Sequence, residues 1–339
     1  MTPSVALPIP VEISLRSRLW TALGLAVDSI RAHKLRSFLT LLGVTIGVAS
    51  VIIVGAAIEG LGVQTQQTTE KAFGSESFLV AQIASIGRLS RKEVAEKIRY
   101  NRRIRPEDYE YLRQTTGDEI VYSPYAQRFD DAKQGEQTLE ACAVIGTAAT
   151  LPDIRDVGLL EGRYFTDQEE RSRAFVAVVG DDIKTKLFGG ENPIGKKLRL
   201  KGYEFLIIGL QERFGSSFGR SQDNSIYIPF GTFGKLYTLP RTISVFARPR
   251  PETKMSLDDG LEVTRAALRT RFHTRPGAVD NFEFLTPDSI RGFIDNILGF
   301  IRIIVVPVTA ISLIVGGIVI MNIMLVSVTE RTREIGVRK

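Results

Sequence analysis

The stretch Gly190-Glu191-Asn192-Pro193-Ile194-Gly195-Lys196 carries the residue types of a phosphate-binding loop, G-x4-G-K. Such a loop cradles phosphates with backbone N–H groups and needs a Ser or Thr hydroxyl after the lysine for magnesium. Lys197 stands there instead. The residues that follow pattern as a strand, so no helix N-terminus faces a phosphate. A structural turn is the expectation. His33 and His273 are the only histidines, and the topology derived below puts them on opposite sides of a membrane. They cannot share a zinc or catalytic site. Carboxylate pairs stand at Asp130-Asp131 and Asp181-Asp182. Both fall where turns or helix starts are expected, and there such side chains cap backbone N–H groups or face water. Cys142 is the single cysteine, which excludes an intrachain disulfide and any CxxC pair. It reads as a small buried thiol. No catalytic, metal-ligating or cofactor-binding set emerges, and no cofactor is expected.

The elements around these residues define the class. The chain has 339 residues, 44% of them apolar, and a formal net charge of +6. Residues 1–37 hold Arg16, Arg18, Arg31, Lys34 and Arg36 against Glu12 and Asp28. Residues 329–339 hold Arg331, Arg333, Arg338 and Lys339 against Glu330 and Glu334. Most of the excess charge thus flanks two apolar runs, a membrane pattern that argues against a nucleic-acid partner.

The first run, residues 38–58, is uncharged. At about 1.5 Å per residue it reaches roughly 31 Å, enough for a bilayer core. The second lies within 301–328, where Ile303 to Val328 is uncharged and Pro307 is placed to kink its outer end. No small-residue cleavage site closes the first run, so it reads as an uncleaved anchor. Basic residues before the first run and after the second place both termini in the cytoplasm and residues 59–300 outside. Within residues 1–37, Leu15, Leu19, Ala22, Leu23, Ala26, Val27 and Ile30 make one helical apolar face. That face suits the inner leaflet, with Trp20 at headgroup level, or a neighbouring span. In the spans, Gly43 and Gly47 form GxxxG, and Ser312 and Gly316 have small-xxx-small spacing. With Asn322, a polar group at membrane depth, these are the helix-packing candidates.

The outer region mixes helix and strand signals. A helical continuation of the first span is expected over 62–72, then a strand near Ser77–Ile83 and a basic, irregular insertion or mobile loop over 84–104. A helix starts at Pro106, at its favoured first position. Strands are expected at 119–125, 138–145, 175–179, 225–228, 243–247 and 281–285, and helices through Leu187, over 256–272 and from Thr286-Pro287-Asp288 into the second span. Lys197–Leu200 and Glu204–Leu210 bracket a hairpin turn. Residues 146–238 are expected to form an inserted subdomain. The fold class is a membrane protein with two transmembrane α-helices and a large α+β extracytoplasmic domain between them.

After Val328 the chain is charged and helical in pattern, and taken alone its basic side chains read as a snorkelling anchor. The run from Ser312 to Lys339, SLIVGGIVIMNIMLVSVTERTREIGVRK, resembles the second-span signature of macrolide-exporter-type (MacB-like, FtsX-superfamily) ABC transporter permeases. Ser29 to Ala49 is similar to that family's first span and its basic lead-in. Glu161-Gly-Arg-Tyr-Phe-Thr, Leu187-Phe-Gly-Gly-Glu-Asn-Pro-Ile-Gly-Lys and Ser225-Ile-Tyr-Ile-Pro resemble its extracytoplasmic core domain. The resemblance implies a mechanism: a cytoplasmic ATPase closes on ATP, a coupling helix after the second span takes up the motion, and the outer domain drives a substrate outward. By position, Glu330, Arg331, Arg333, Glu334, Arg338 and Lys339 would form the coupling surface.

The implied partners are a separate cytoplasmic ATPase chain, a second permease copy (identical or paralogous), a periplasmic adaptor, an outer-membrane duct and the lipid membrane. The chain would be an inner-membrane transporter subunit without enzymatic activity of its own. The family carries two further spans after the coupling helix, so the resemblance implies a permease truncated after the second. Extraction of lipoproteins and activation of cell-wall hydrolases share this architecture and stay open, because fold does not fix substrate. A membrane sensor would need a signalling module after the second span, and residues 329–339 are too few to supply one.

Overall fold

A computed structural model of the chain describes residues 74–337 except 75, 86, 88, 156–157 and 218–219, together with scattered positions between 34 and 62. Those scattered positions are helical; the continuation expected over 62–72 lies almost entirely outside the described residues, as do most of residues 1–37. The chain divides into two compact units, residues 1–60 with 298–339, and residues 61–297.

Among its described residues the second unit has twelve strands: β1 Phe78–Ala81, β2 Ile120–Gln134, β3 Gln137–Thr147, β4 Leu159–Gly162, β5 Val176–Val179, β6 Lys197–Leu200, β7 Tyr203–Gln211, β8 Ser216–Ser217, β9 Arg220–Ser221, β10 Ser225–Pro229, β11 Ser244–Pro249 and β12 Glu283–Leu285. Ten form one sheet in the order β12-β1-β11-β2-β3-β10-β5-β7-β4; β6 pairs with both β2 and β7, while β8 and β9 form a separate ribbon. The pairing of β6 closes the circuit β2-β3-β10-β5-β7-β6 back onto β2. Closure removes free edges, and the enclosed side fills with apolar side chains. Ala132, Cys142, Val144, Val179, Leu200, Phe205 and Ile226 belong to that core. A smaller apolar cluster, with Ile145, Val178, Ile208, Tyr227 and Phe246, gathers around α3, Leu151–Arg155. Strand alternation explains the two sets: Val144 belongs to one and Ile145 to the other. Residues 146–238 supply β4 to β7 and β10 to the same sheet as β2 and β3, and also the β8–β9 ribbon.

The remaining helices are α1 Arg91–Tyr100, α2 Pro106–Thr116, α4 Asp167–Arg171, α5 Asp181–Leu187, α6 Phe230–Tyr237, α7 Leu257–Arg271 and α8 Pro287–Val337. Pro106 occupies the first turn of α2 as expected. The β6–β7 turn is Lys201-Gly202, with φ of 48° and 86°; a two-residue hairpin needs positive φ at both positions. The irregular loop expected over 84–104 is corrected by α1. Ser90 and Glu93 cap its start reciprocally, at 3.2 and 2.7 Å. The helix buries none of its residues, so hydrophobic periodicity gave no signal. The helices and strand at α3, β4, α4 and α6 were likewise unanticipated; each is short.

Helix α8 is continuous for 51 residues and contains Pro307 and the uncharged run 303–328. Among the described residues no helix is long and apolar enough to cross a membrane. The first run is described only at scattered positions, and many side chains of the second lie outside the description.

Candidate functional site

The entry to α8 is fixed by a charged cluster. Thr286 caps the helix, accepting from Ser289 N at 3.1 Å. Just before it, in β12, the Glu283 carboxylate accepts from Lys97 Nζ at 2.6 Å, Asn101 Nδ2 at 3.1 Å and Ala84 N at 3.0 Å. Asn101 and Gln82 are both buried and trade hydrogen bonds: Asn101 Nδ2 donates to Gln82 O at 2.7 Å, and Gln82 Nε2 to Asn101 O at 3.0 Å. Burial alone would raise the Glu283 pKa; the bonds from Lys97, Ala84 and Asn101 outweigh it and hold the carboxyl below its ordinary range. This cluster ties α1, the end of β1 and the start of α8 together. The Ser90-x-x-Glu93 pattern was the available signal for α1, but a partner about 190 residues away is not legible in local sequence.

Next to α2 lies an open basic cleft of about 1050 Å³. Arg102, Arg103, Arg105, Arg241 and Arg271 line it, against Glu107 and Asp108. Asp108 is buried; it accepts from Arg105 N at 2.9 Å and from Arg271 Nε at 3.1 Å. The Arg102 guanidinium lies 5.7 Å from the Phe272 ring centre. Such a cleft attracts carboxylates or phosphates. His273 stands exposed at its wall. Arg102, Arg103 and Arg105 were visible as a basic stretch; Arg241 and Arg271 join them only through the fold.

The phosphate-loop lookalike is a turn. Its N–H groups are already engaged: Gly190 N with Lys184 O, Glu191 N with Phe188 O, Gly195 N with Ile207 O, Lys196 N with Pro193 O, all at 2.8–3.1 Å, and Ile194 N with Asn192 Oδ1 at 3.0 Å. No donors remain converged on a phosphate. Lys196 pairs with Glu191. Asp181 and Asp182 open α5 as expected, with Lys186 donating to Asp182 at 2.7 Å. The expectation for Asp130-Asp131 is corrected, because both lie inside β2 at a break in the β2–β3 register. Asp130 accepts from Tyr237 OH at 2.8 Å and Asp131 from Ala141 N at 3.1 Å, so they serve a bulge. Among the described residues no group of histidine, cysteine and carboxylate side chains is placed to hold a metal.

Glu330, Arg331, Arg333 and Glu334 lie in the last turns of α8, and Arg333 is exposed. Arg338 and Lys339 lie outside the described residues, as do Gly43 and Gly47. Ser312, Gly316 and Asn322 are in α8.

Comparison with known proteins decides the family. The sequence profile of the MacB-like periplasmic core domain matches residues 37–267. The chain belongs to the MacB-like family. It is 33% identical over 319 residues to the macrolide export ATP-binding/permease protein MacB of Rhodospirillum rubrum, covering 94% of this chain and 47% of that protein. The Marinobacter nauticus protein of the same name is 31% identical over 329 residues, with coverage of 94% and 47%. The chain spans about half the length of the curated relatives it matches. Among solved structures, the periplasmic region of MacB from Actinobacillus actinomycetemcomitans superposes with a TM-score of 0.53 at 16% identity, over 67% of this chain and 96% of that one. That likeness bears on the fold of the sheet unit. The MacB-like reading thus stands on sequence and on fold together.

Proposed function

We propose that the chain is the permease part of an ABC transporter that passes motion from a cytoplasmic ATPase to its outer domain and so exports a substrate from the cell envelope. Residues 38–58 and 301–328 are its two spans, both termini are cytoplasmic, and residues 59–300 face outward. ATP is hydrolysed outside these 339 residues. The working assembly contains an ATPase, a second permease copy, a periplasmic adaptor and an outer-membrane duct. One observation carries the reading: the helix that starts at Pro287, against the Glu283 cluster, is the same helix that holds the uncharged run and ends in the charged segment, without an intervening loop. A continuous helix suits the transmission of displacement. Lipoprotein extraction and control of wall hydrolases use the same transmission and differ only in what the outer domain acts on.

The test reverses charge at the proposed ATPase contact. Glu330→Lys and Glu334→Arg place like charges against a complementary partner surface, which costs up to several kcal/mol. Made in a full-length version and expressed in cells with the partner ATPase, both variants should insert normally and lose macrolide export and stimulated ATPase activity together. Normal export by both would leave residues 329–339 as a membrane anchor and remove the coupling role.

A further inference from the structure

A second cavity, of about 710 Å³, opens on the sheet face around α3. Its floor is set by strand register. The rows Gln127–Ile145–Tyr227 and Phe129–Ala143–Ser225 run side by side across β2, β3 and β10. All six side chains line the cavity. Ala143 is the small member between Phe129 and Ser225, and that gap makes the hollow. Phe129 is 65% exposed, an aromatic ring left at the rim.

At the wall stands Arg155, the last residue of α3, only 8% exposed. Its guanidinium carbon lies 5.2 Å from the centre of the Phe246 ring, and Tyr125 packs edge-on to that ring at 5.3 Å. The aromatic pair fixes the guanidinium in place. Yet Arg155 Nε is buried without a hydrogen-bond partner, and Arg155 forms no ion pair among the described residues. Ser225 Oγ and Asn224 Oδ1, also in the cavity lining, are buried and unpartnered too. The other charged groups facing this space, Asp182 and Lys186, neutralise each other at 2.7 Å. One desolvated cation is left uncompensated, beside an unpaired hydroxyl and exposed aromatic surface. A buried charge and buried polar atoms normally find partners, and the volume is that of a small-molecule site.

We propose that this cavity binds an amphipathic organic carboxylate. Its carboxylate pairs with Arg155 and accepts from the Ser225 hydroxyl, while its flat apolar body lies along Phe129 and Tyr227. To call that ligand a transported solute rests on the export reading; binding itself does not, because the following titration contains no ATPase.

The probe is 2-naphthoate, with neutral 2-naphthamide as its isostere, titrated by calorimetry into the full chain in phosphatidylcholine nanodiscs after subtraction of empty nanodiscs. Saturable 2-naphthoate binding is expected, at least tenfold weaker for 2-naphthamide and for Arg155→Met, with Arg155→Lys in between because it keeps charge without the guanidinium fork. Gln127→Trp fills the mouth from an exposed strand position and should abolish binding while the chain stays folded; it decides the matter if Arg155→Met fails to fold. Absence of saturable heat to about 1 mM, equal binding of acid and amide, or undiminished binding by Gln127→Trp would each overturn the proposal and leave the unpaired atoms to water.

Discussion

Glu283→Ala is the substitution that most directly tests how α8 is anchored. The carboxylate accepts three hydrogen bonds, from Lys97, Asn101 and Ala84. The Lys97–Glu283 pair is partly exposed, with side-chain exposures of 32% and 24%, so its share is about 1 kcal/mol at most. Each of the other two bonds adds about 1 kcal/mol net. Asn101 keeps its bond to Gln82 O, which limits the penalty of a stranded amide. The sum is about 2–3 kcal/mol. Because α1 has no buried residue of its own, the loss should appear there first, as local opening. Hydrogen exchange read by mass spectrometry should show protection of residues 91–100 falling by roughly thirtyfold or more, at about 1.4 kcal/mol per tenfold. Helix α7 should change far less. Acid should act the same way. The folded Glu283 pKa lies below its unfolded value, so its contribution is present above the unfolded pKa and fades as pH falls through the folded one. Once intrinsic rates are corrected for, α1 of the native chain should therefore loosen below about pH 4.3, and α1 of Glu283→Ala should show no such step. Unchanged exchange in α1, or an equal loss over the whole sheet, would refute the latch.

Two further outcomes follow from packing. Burial pushes the Cys142 thiol up to about 11, and its side chain is fully buried, so maleimide at pH 8 should label it only after unfolding; rapid labelling of the native chain would contradict the enclosed core around β3. A Cβ on Gly146 would sit 2.4 Å from the Phe233 ring, so Gly146→Val should destabilise the sheet unit by about 2–3 kcal/mol, seen as a lower urea midpoint, and an unchanged midpoint would show that α6 yields freely.

Legibility tracked how local each determinant is. Strands β2, β3, β5, β6, β7 and β10 were readable because β-branched and aromatic residues cluster between turn residues, and the Lys201-Gly202 turn announced itself. Helix α2 carried Pro106 at its start, and α7 showed amphipathic spacing over residues 256–272. Helix α1 was missed because it packs through polar contacts instead of an apolar stripe. Asp130-Asp131 was misplaced because a carboxylate pair looks the same in a turn and at a bulge; what decides is the opposing residue, Ala141, at φ 52°. The site residues divide the same way. The charges of Glu330, Arg331, Arg333 and Glu334 were visible as a cluster because they stand within five consecutive residues. Arg155 was not, because its significance is a missing partner, which only the fold reveals.

The closed circuit and the β12 edge of the sheet are built differently, and the difference bears on where a pull on α8 would act first. On one side β6 closes the circuit of β2, β3, β10, β5 and β7 around a dense apolar core. A closed circuit has no strand that can slip without breaking pairs on both sides. On the other side β12 is an edge strand, paired only to β1 over Leu285, Phe284 and Glu283. Helix α8 starts two residues after this short edge strand. An edge strand is held by one ladder, whereas each strand of the circuit is held by two, so β12 is the strand on which a pull along α8 would act first. Glu283 adds side-chain bonds at that point, to α1 and to the end of β1, as well as the ladder itself. The charge is therefore placed on a short edge strand, just before the long helix begins. A pull too small to break the cluster would pass into β1 and β11, while a larger one would free α1 before disturbing the closed core.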